Sequence, residues 1–134
     1  MVCFHAYGKH GGYYGYESKI LSQKIKDINI AALDFKNFGR SDSPNRGMIA
    51  TFDELIEHTE GFIEMLWKKY DKPKIFIQGL SLGGAICFNT AVRNKNNLIS
   101  GLIMLSPGLR GINTSFLMKK IALAIAFFRP NTGV

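Results

Sequence analysis

The chain has 134 residues, 46% hydrophobic and 20% charged, which is long enough for one domain with a core and too short for two. The formal charge is +7, but the lysines are scattered and no RNA-binding aromatic motif accompanies them, so we expect a solvated basic surface and no nucleic-acid partner. Cys3 and Cys87 lack metal-ligand spacing, which indicates buried free thiols in a reducing compartment, with neither a metal nor a cofactor.

Strand and helix patterns alternate along the first half of the chain. A short β-type run over 2–5 ends in a glycine-rich loop, and apolar residues at helical spacing predict a helix over 17–26. The continuous apolar run 29–33 predicts a strand covered on both faces. A polar turn region, 37–47, follows.

The next helix is the most clearly marked in the chain. Thr51 and Glu54 have the spacing of a capping box, and Lys68 and Lys69 stand where the helix dipole favours cations. One face is predicted to be apolar, and it consists of Phe52, Leu55, Ile56, Thr59, Ile63, Leu66, Trp67 and Tyr70.

The second half continues the alternation. The patterns predict a strand over 74–78, a helix over 82–93, a strand over 98–105 and a strongly apolar helix over 113–128. This order predicts an α/β fold in which a parallel sheet of about four strands has helices on both faces.

Chemistry is indicated by Gly79-Leu80-Ser81-Leu82-Gly83, a G-x-S-x-G pattern. At this chain's glycine and serine frequencies, it would occur by chance in roughly one unrelated chain in ten. Here an apolar strand precedes it and a helix rich in small residues follows, which is the setting of a nucleophile elbow after the third strand. The alternative is a plain strand-to-helix turn that carries an ordinary serine.

An elbow makes steric demands that this pattern meets. Ser81 would take a strained backbone conformation with its hydroxyl above the sheet edge, while glycine at 79 and 83 removes side chains that would collide with the neighbouring strand and helix. The N-terminus of the following helix would offer amide N–H groups to an oxyanion. The glycine spacing does not match a dinucleotide or nucleotide phosphate loop.

Three stretches resemble the monoacylglycerol lipase and lysophospholipase branch of the α/β-hydrolases, the group also called serine aminopeptidase S33 or Hydrolase_4. Residues 5–10, H-A-Y-G-K-H, are similar to the family's H-G-x-G-x-H. Residues 34–41, D-F-K-N-F-G-R-S, are similar to D-x-x-G-x-G-x-S, and residues 79–84 are similar to G-x-S-x-G-G. The chain departs from these patterns at Ala6 and Asn37, where the family has glycine, and at Leu80, where it usually has histidine.

The resemblance implies a role for each site residue. Ser81 would be the nucleophile, and the backbone N–H groups of Tyr7 and Leu82 would form the oxyanion hole. Asp34 would hold its own loop, His5 would be structural, and His10 would face the site. The full set of supporting residues is His5, Gly8, His10, Gly79, Gly83 and Gly84.

The acid and the base of a catalytic triad are missing, because no histidine and no acidic residue follows Ser81. The resemblance implies that they lie beyond Val134 with two further strands and most of a cap, and that a hairpin precedes Met1. It makes 1–108 part of the hydrolase core and 109–134 the start of the cap. An alternative is that His5 or His10 replaces the base.

The resemblance implies a serine hydrolase of carboxylic esters, with small lipid substrates of the monoacylglycerol or lysophospholipid type. A non-catalytic remnant that binds lipid or a partner chain is an alternative, and an acyltransferase or peptidase on the same scaffold is another. The apolar stretch 116–128 could contact a membrane peripherally or pack on the sheet. No charged leader follows Met1, so we expect a cytoplasmic protein, with membrane association through that stretch.

Overall fold

The computed structural model describes residues 1–42, 44–49, 51–94 and 96–109. Strands β1 (Val2–Phe4), β2 (Ala31–Leu33), β3 (Ile75–Leu80) and β4 (Ile99–Leu105) form, within these ranges, one parallel sheet in the order β2-β1-β3-β4. The helices are a 3₁₀ turn (Gly11–Tyr14), α1 (Gly15–Lys24), α2 (Phe52–Lys69) and α3 (Leu82–Arg93). The predicted α/β architecture is confirmed, while the apolar helix predicted over 113–128 lies outside the described residues.

The main core lies between α2, α3 and one face of the sheet. Val2 and Phe4 of β1 stand in register with Ile77 and Gly79 of β3, so their side chains share this face. The buried cluster consists of Val2, Phe4, Phe35, Phe38, Leu55, Ile56, Ile63, Leu66, Ile75, Ile77, Ile86 and Cys87. Packing of these residues fixes the β3–α3 junction against β1.

Helix α1 covers part of the opposite face. The Gln78 amide of β3 donates to the Glu17 carboxylate of α1 at 2.8 Å, which places a helix on each side of the sheet, as predicted. None of the ten residues of α1 is buried. The second face is therefore less covered than the first.

The prediction that the second strand is covered on both faces was wrong. Strand β2 is shorter than the predicted 29–33, and its middle residue, Ala32, is exposed. The physical reason is that β2 is an edge strand of the described sheet, and α1 buries no side chain against it.

Helix α2 matches its sequence pattern closely. The Thr51 hydroxyl accepts a hydrogen bond from the Glu54 N–H at 3.1 Å, so the predicted N-cap is confirmed. Five of the predicted apolar residues are buried, whereas Phe52 and Tyr70 are 39% and 47% exposed because they lie at the ends of the helix.

Among the described residues, no helix is both long and apolar enough to cross a bilayer.

Candidate active site

Ser81 occupies the sharp turn between β3 and α3. Its backbone angles, φ 51 and ψ −109, lie where a side chain is sterically strained. Three hydrogen bonds hold it there: its N–H donates to Leu105 O at 3.0 Å, and its carbonyl accepts from Gly108 N and Ala85 N at 3.0 Å each. The end of β4 and the segment after it thus hold the turn on the side opposite β1.

The glycines around Ser81 are required by space. A Cβ built on Gly79 would lie 2.2 Å from Gly83 O, and one built on Gly83 would lie 2.0 Å from Phe4 O. A Cβ on Gly84 would come within 3.0 Å of the Pro107 side chain. The atoms that a Cβ at 79 or 83 would meet belong to the backbone, which cannot swing aside, so the predicted steric reason for glycine at 79 and 83 is confirmed.

The two residues predicted to donate to an oxyanion, Tyr7 and Leu82, belong to two elements that pack on each other at this turn. Leu82 is the first residue of α3, and first-turn amides lack an intrahelical acceptor and lie at the positive end of the helix dipole. Tyr7 lies in the loop after β1, and β1 is the strand that pairs with β3. Gly83 packs on the carbonyls of Phe4 and His5, which come just before Tyr7 in the chain. The Tyr7 hydroxyl donates to Gly47 O at 2.9 Å, which holds its side chain on the 34–47 turn.

His5 is a structural residue of the loop. Its ring is 1% exposed; Nε2 accepts from the Phe35 N–H at 3.1 Å, and Nδ1 donates to Ala6 O at 2.8 Å. These partners define a neutral ring with its proton on Nδ1, and burial lowers the pKa of His5. Because both nitrogens bind backbone, His5 has no free lone pair to take a proton from Ser81, which removes it as a replacement base.

His10 and Gly8 shape the glycine-rich loop. The exposed His10 ring caps the 3₁₀ turn, where Nδ1 accepts from Gly12 N–H at 3.2 Å, and it meets the Tyr13 ring edge-on at 5.1 Å. Gly8 has φ 70 and allows the turn that brings Lys9 N within 3.1 Å of Ala6 O.

Asp34 joins the glycine-rich loop to the turn that follows β2. Its carboxylate accepts from Gly11 N at 2.5 Å and from Arg40 N at 2.7 Å. Although partial burial raises it, these backbone hydrogen bonds bring the pKa of Asp34 below its usual value. A Cβ on Gly39 would lie 2.2 Å from this carboxylate, so glycine is required there. The loop-holding role implied for Asp34 is confirmed.

Two departures from the family patterns are accommodated without strain on the site. Asn37 has φ 68, a conformation that asparagine tolerates better than most residues, and its Nδ2 donates to Met48 O at 2.9 Å. Ala6 is not among the residues with positive φ, so its Cβ fits the loop.

Sequence reasoning missed Tyr14, which is 7% exposed and donates its hydroxyl to Phe4 O at 2.8 Å. The adjacent Tyr13 is 60% exposed, and nothing in the local pattern separates the two tyrosines.

Within the described ranges, no three His, Cys, Asp or Glu side chains are grouped so that they could hold a metal ion.

The structure has a parallel sheet flanked by helices and a serine at positive φ in the turn between a strand and a helix. This combination defines the α/β-hydrolase class. The model of the family described as Serine aminopeptidase, S33, matches residues 1–134. The chain belongs to this family.

Its relatives include lipases and esterases. Monoglyceride lipase of Rattus norvegicus is 28% identical over 132 residues, 97% of this chain and 42% of that protein. The human enzyme is 26% identical over 103 residues, 77% of this chain and 33% of that protein. The chain thus spans less than half the length of these relatives.

Solved structures agree with this assignment. The monoacylglycerol lipase of Paleococcus ferrophilus superposes with a TM-score of 0.71 at 27% identity, over 96% of this chain and 47% of that one. A lipase-esterase related protein from Clostridium acetobutylicum gives 0.72 at 25% identity, over 96% of this chain and 52% of that one.

Proposed function

We propose that this chain carries the nucleophile and the oxyanion hole of a serine hydrolase that cleaves carboxylic esters of the monoacylglycerol or lysophospholipid type. The observation that carries the proposal is the conformation of Ser81, at φ 51 between β3 and α3, with glycine at 79 and 83 where no Cβ fits. The substrate class is supported by the similarity to a monoglyceride lipase and to a monoacylglycerol lipase.

In this mechanism, the Ser81 oxygen attacks the ester carbonyl carbon, and the carbonyl electron pair moves to the oxygen. The N–H groups of Tyr7 and Leu82 bind that oxyanion. Collapse of the intermediate breaks the bond to the alcohol oxygen and leaves the acyl group on Ser81, from which water then removes it.

The Ser81 hydroxyl needs a base that takes its proton, and the alcohol that leaves must receive a proton. No histidine or acidic residue follows Ser81 in this sequence, both nitrogens of His5 bind backbone, and His10 caps the 3₁₀ turn through Nδ1. We therefore expect this chain alone to show only the residual rate that an oxyanion hole and binding supply, roughly 10³–10⁴-fold over water.

The test is covalent labelling with a fluorophosphonate, followed by peptide mass spectrometry. Because no base follows Ser81 in this sequence, we expect one adduct on Ser81 that forms slowly, no adduct in Ser81→Ala, and the wild-type rate in Ser100→Ala, which changes an exposed serine of β4. A folded wild-type chain that labels no faster than the same chain unfolded in urea, or an adduct that persists in Ser81→Ala, would refute a nucleophilic Ser81.

A second candidate function, binding of lipid without catalysis, is favoured by the less covered face of the sheet. Four apolar side chains there are 40–44% exposed: Phe76, Leu80, Ile103 and Leu105. Under this reading the chain sediments with phosphatidylcholine vesicles, Ile103→Ser weakens that binding, and Ser81 stays unlabelled. The membrane contact predicted for 116–128 lies outside the described residues.

A further inference from the structure

The peptide group that joins Ala6 to Tyr7 carries the N–H that we propose as an oxyanion donor. Its carbonyl oxygen accepts two hydrogen bonds, one from His5 Nδ1 at 2.8 Å and one from the Lys9 N–H at 3.1 Å. The peptide bond is trans, and a trans peptide group is planar with its N–H pointing away from its C=O. Two bonds on the carbonyl side therefore set the direction of the Tyr7 N–H.

This peptide group begins just beyond the contact between β1 and α3. A Cβ on Gly83 would lie 2.0 Å from Phe4 O and 2.8 Å from His5 O, so the first turn of α3 packs on the residues that precede Ala6. The same turn of α3 contains Leu82, the other proposed donor. The contact fixes the loop relative to α3 as far as His5, and Tyr7 lies two residues beyond it.

The side chain of Tyr7 ties the exposed part of the loop to the 34–47 turn. Its hydroxyl donates to Gly47 O at 2.9 Å. Its ring meets the ring of Phe38 edge-on, with the ring centres 5.5 Å apart, and Phe38 is buried. Tyr7 is thus held by its side chain, while the Ala6 carbonyl holds its peptide group.

The acceptor of the Tyr7 hydroxyl is itself fixed. The Gly47 N–H donates to Asn37 O at 2.9 Å, and Asn37 is buried. A tyrosine side chain has only two rotatable torsions before its rigid ring ends in the hydroxyl. Because both the ring and the hydroxyl of Tyr7 are bound, the positions open to its backbone are restricted.

We propose that the side chain of Tyr7 positions its own backbone N–H, by anchoring the loop on Gly47 and Phe38 so that this donor keeps its place relative to Leu82. The inference rests on the proposed function, in which Ser81 is the nucleophile and the two N–H groups bind the oxyanion. The Tyr7 side chain is a positioning group, and it acts through its own backbone.

The test compares Tyr7→Phe with Tyr16→Phe in the whole chain. Both variants remove one hydroxyl from an exposed tyrosine, and phenylalanine at 7 keeps the ring that contacts Phe38. We expect the maximal rate of fluorophosphonate labelling to fall about three- to tenfold in Tyr7→Phe, the scale on which one hydrogen bond shifts an equilibrium. The inhibitor concentration at half-maximal rate should stay unchanged. Tyr16→Phe should match the wild type in both quantities.

A readout independent of reactivity is hydrogen exchange at the Gly47 and Lys9 amides. These amides donate to Asn37 O and Ala6 O, on the two sides of the tie made by Tyr7. We expect both to exchange faster in Tyr7→Phe than in the wild type and Tyr16→Phe, at a temperature where circular dichroism shows all three chains folded. Unchanged exchange at both amides in Tyr7→Phe would overturn the anchor.

The outcomes separate this inference from the proposed function. Equal maximal rates in the wild type and Tyr7→Phe overturn the positioning role and leave Ser81 as nucleophile. A folded wild-type chain that labels no faster than the chain unfolded in urea refutes the proposed function and, with it, the positioning of an oxyanion donor. A lower melting temperature of Tyr7→Phe with an unchanged maximal rate would mean that the hydroxyl only stabilises the fold, and this also overturns the inference.

Discussion

The closest approach in the site, between Gly83 and β1, predicts the effect of one added methyl group. In Gly83→Ala the new Cβ would lie 2.0 Å from Phe4 O, whereas a carbon and an oxygen in contact need about 3.3 Å. The first turn of α3 must therefore move by about 1.3 Å, because Phe4 is fully buried in β1 and cannot retreat. Overpacking of this kind costs about 1–3 kcal/mol of unfolding free energy.

Two measurements check this expectation. For a domain of this size, the melting temperature should fall by about 4 °C per kcal/mol, hence by about 4–12 °C. The labelling rate of Ser81 should fall about 10²-fold, because α3 carries one proposed oxyanion donor, Leu82. The matched control is Gly61→Ala, where a Cβ meets nothing within 4 Å and alanine should stabilise α2 by about 0.5–1 kcal/mol. A Gly83→Ala chain that melts and labels like the wild type would refute the packing argument.

Three further predictions follow from buried groups. Because burial lowers the pKa of His5, the unfolded chain binds a proton that the folded chain does not, and stability should fall as the pH drops below about 6.5. His5→Gln should flatten the plot of melting temperature against pH in this range, and an unchanged plot would contradict the argument. Asn37→Ala should lower the unfolding free energy in urea by about 1–2 kcal/mol more than Asn37→Gly, since both lose the amide but only alanine is strained at φ 68; equal losses would exclude strain as the cause. Burial raises the pKa of Cys3 and Cys87 to about 12, so iodoacetamide should modify neither thiol until the chain unfolds, and rapid modification of the folded chain would contradict this.

The sequence predicts those features that depend on short spacing. The cap at Thr51, the strand and helix around Ser81 and the need for glycine at 79 all follow from residues within a few positions of one another. Each is a local steric or hydrogen-bonding requirement, and the structure contains each of them.

Features that depend on distant residues could not be predicted. The tautomer of His5 is set by Phe35, thirty positions away, and the burial of Tyr14 depends on where β1 ends. The exposure of β2 depends on how little of α1 packs against it. In each case the local pattern is compatible with two outcomes, and tertiary contacts select one.

The proposed oxyanion donors of this chain are backbone N–H groups, and this explains why departures from the family patterns can leave them intact. An oxyanion hole needs two N–H groups at fixed positions, whatever side chains they carry. Ala6 fits its loop without a positive φ, Asn37 tolerates one, and Leu80 is 40% exposed. Displacement of these donors is therefore expected from a change where backbone meets backbone, at Gly79 or Gly83, rather than from a change at these three positions.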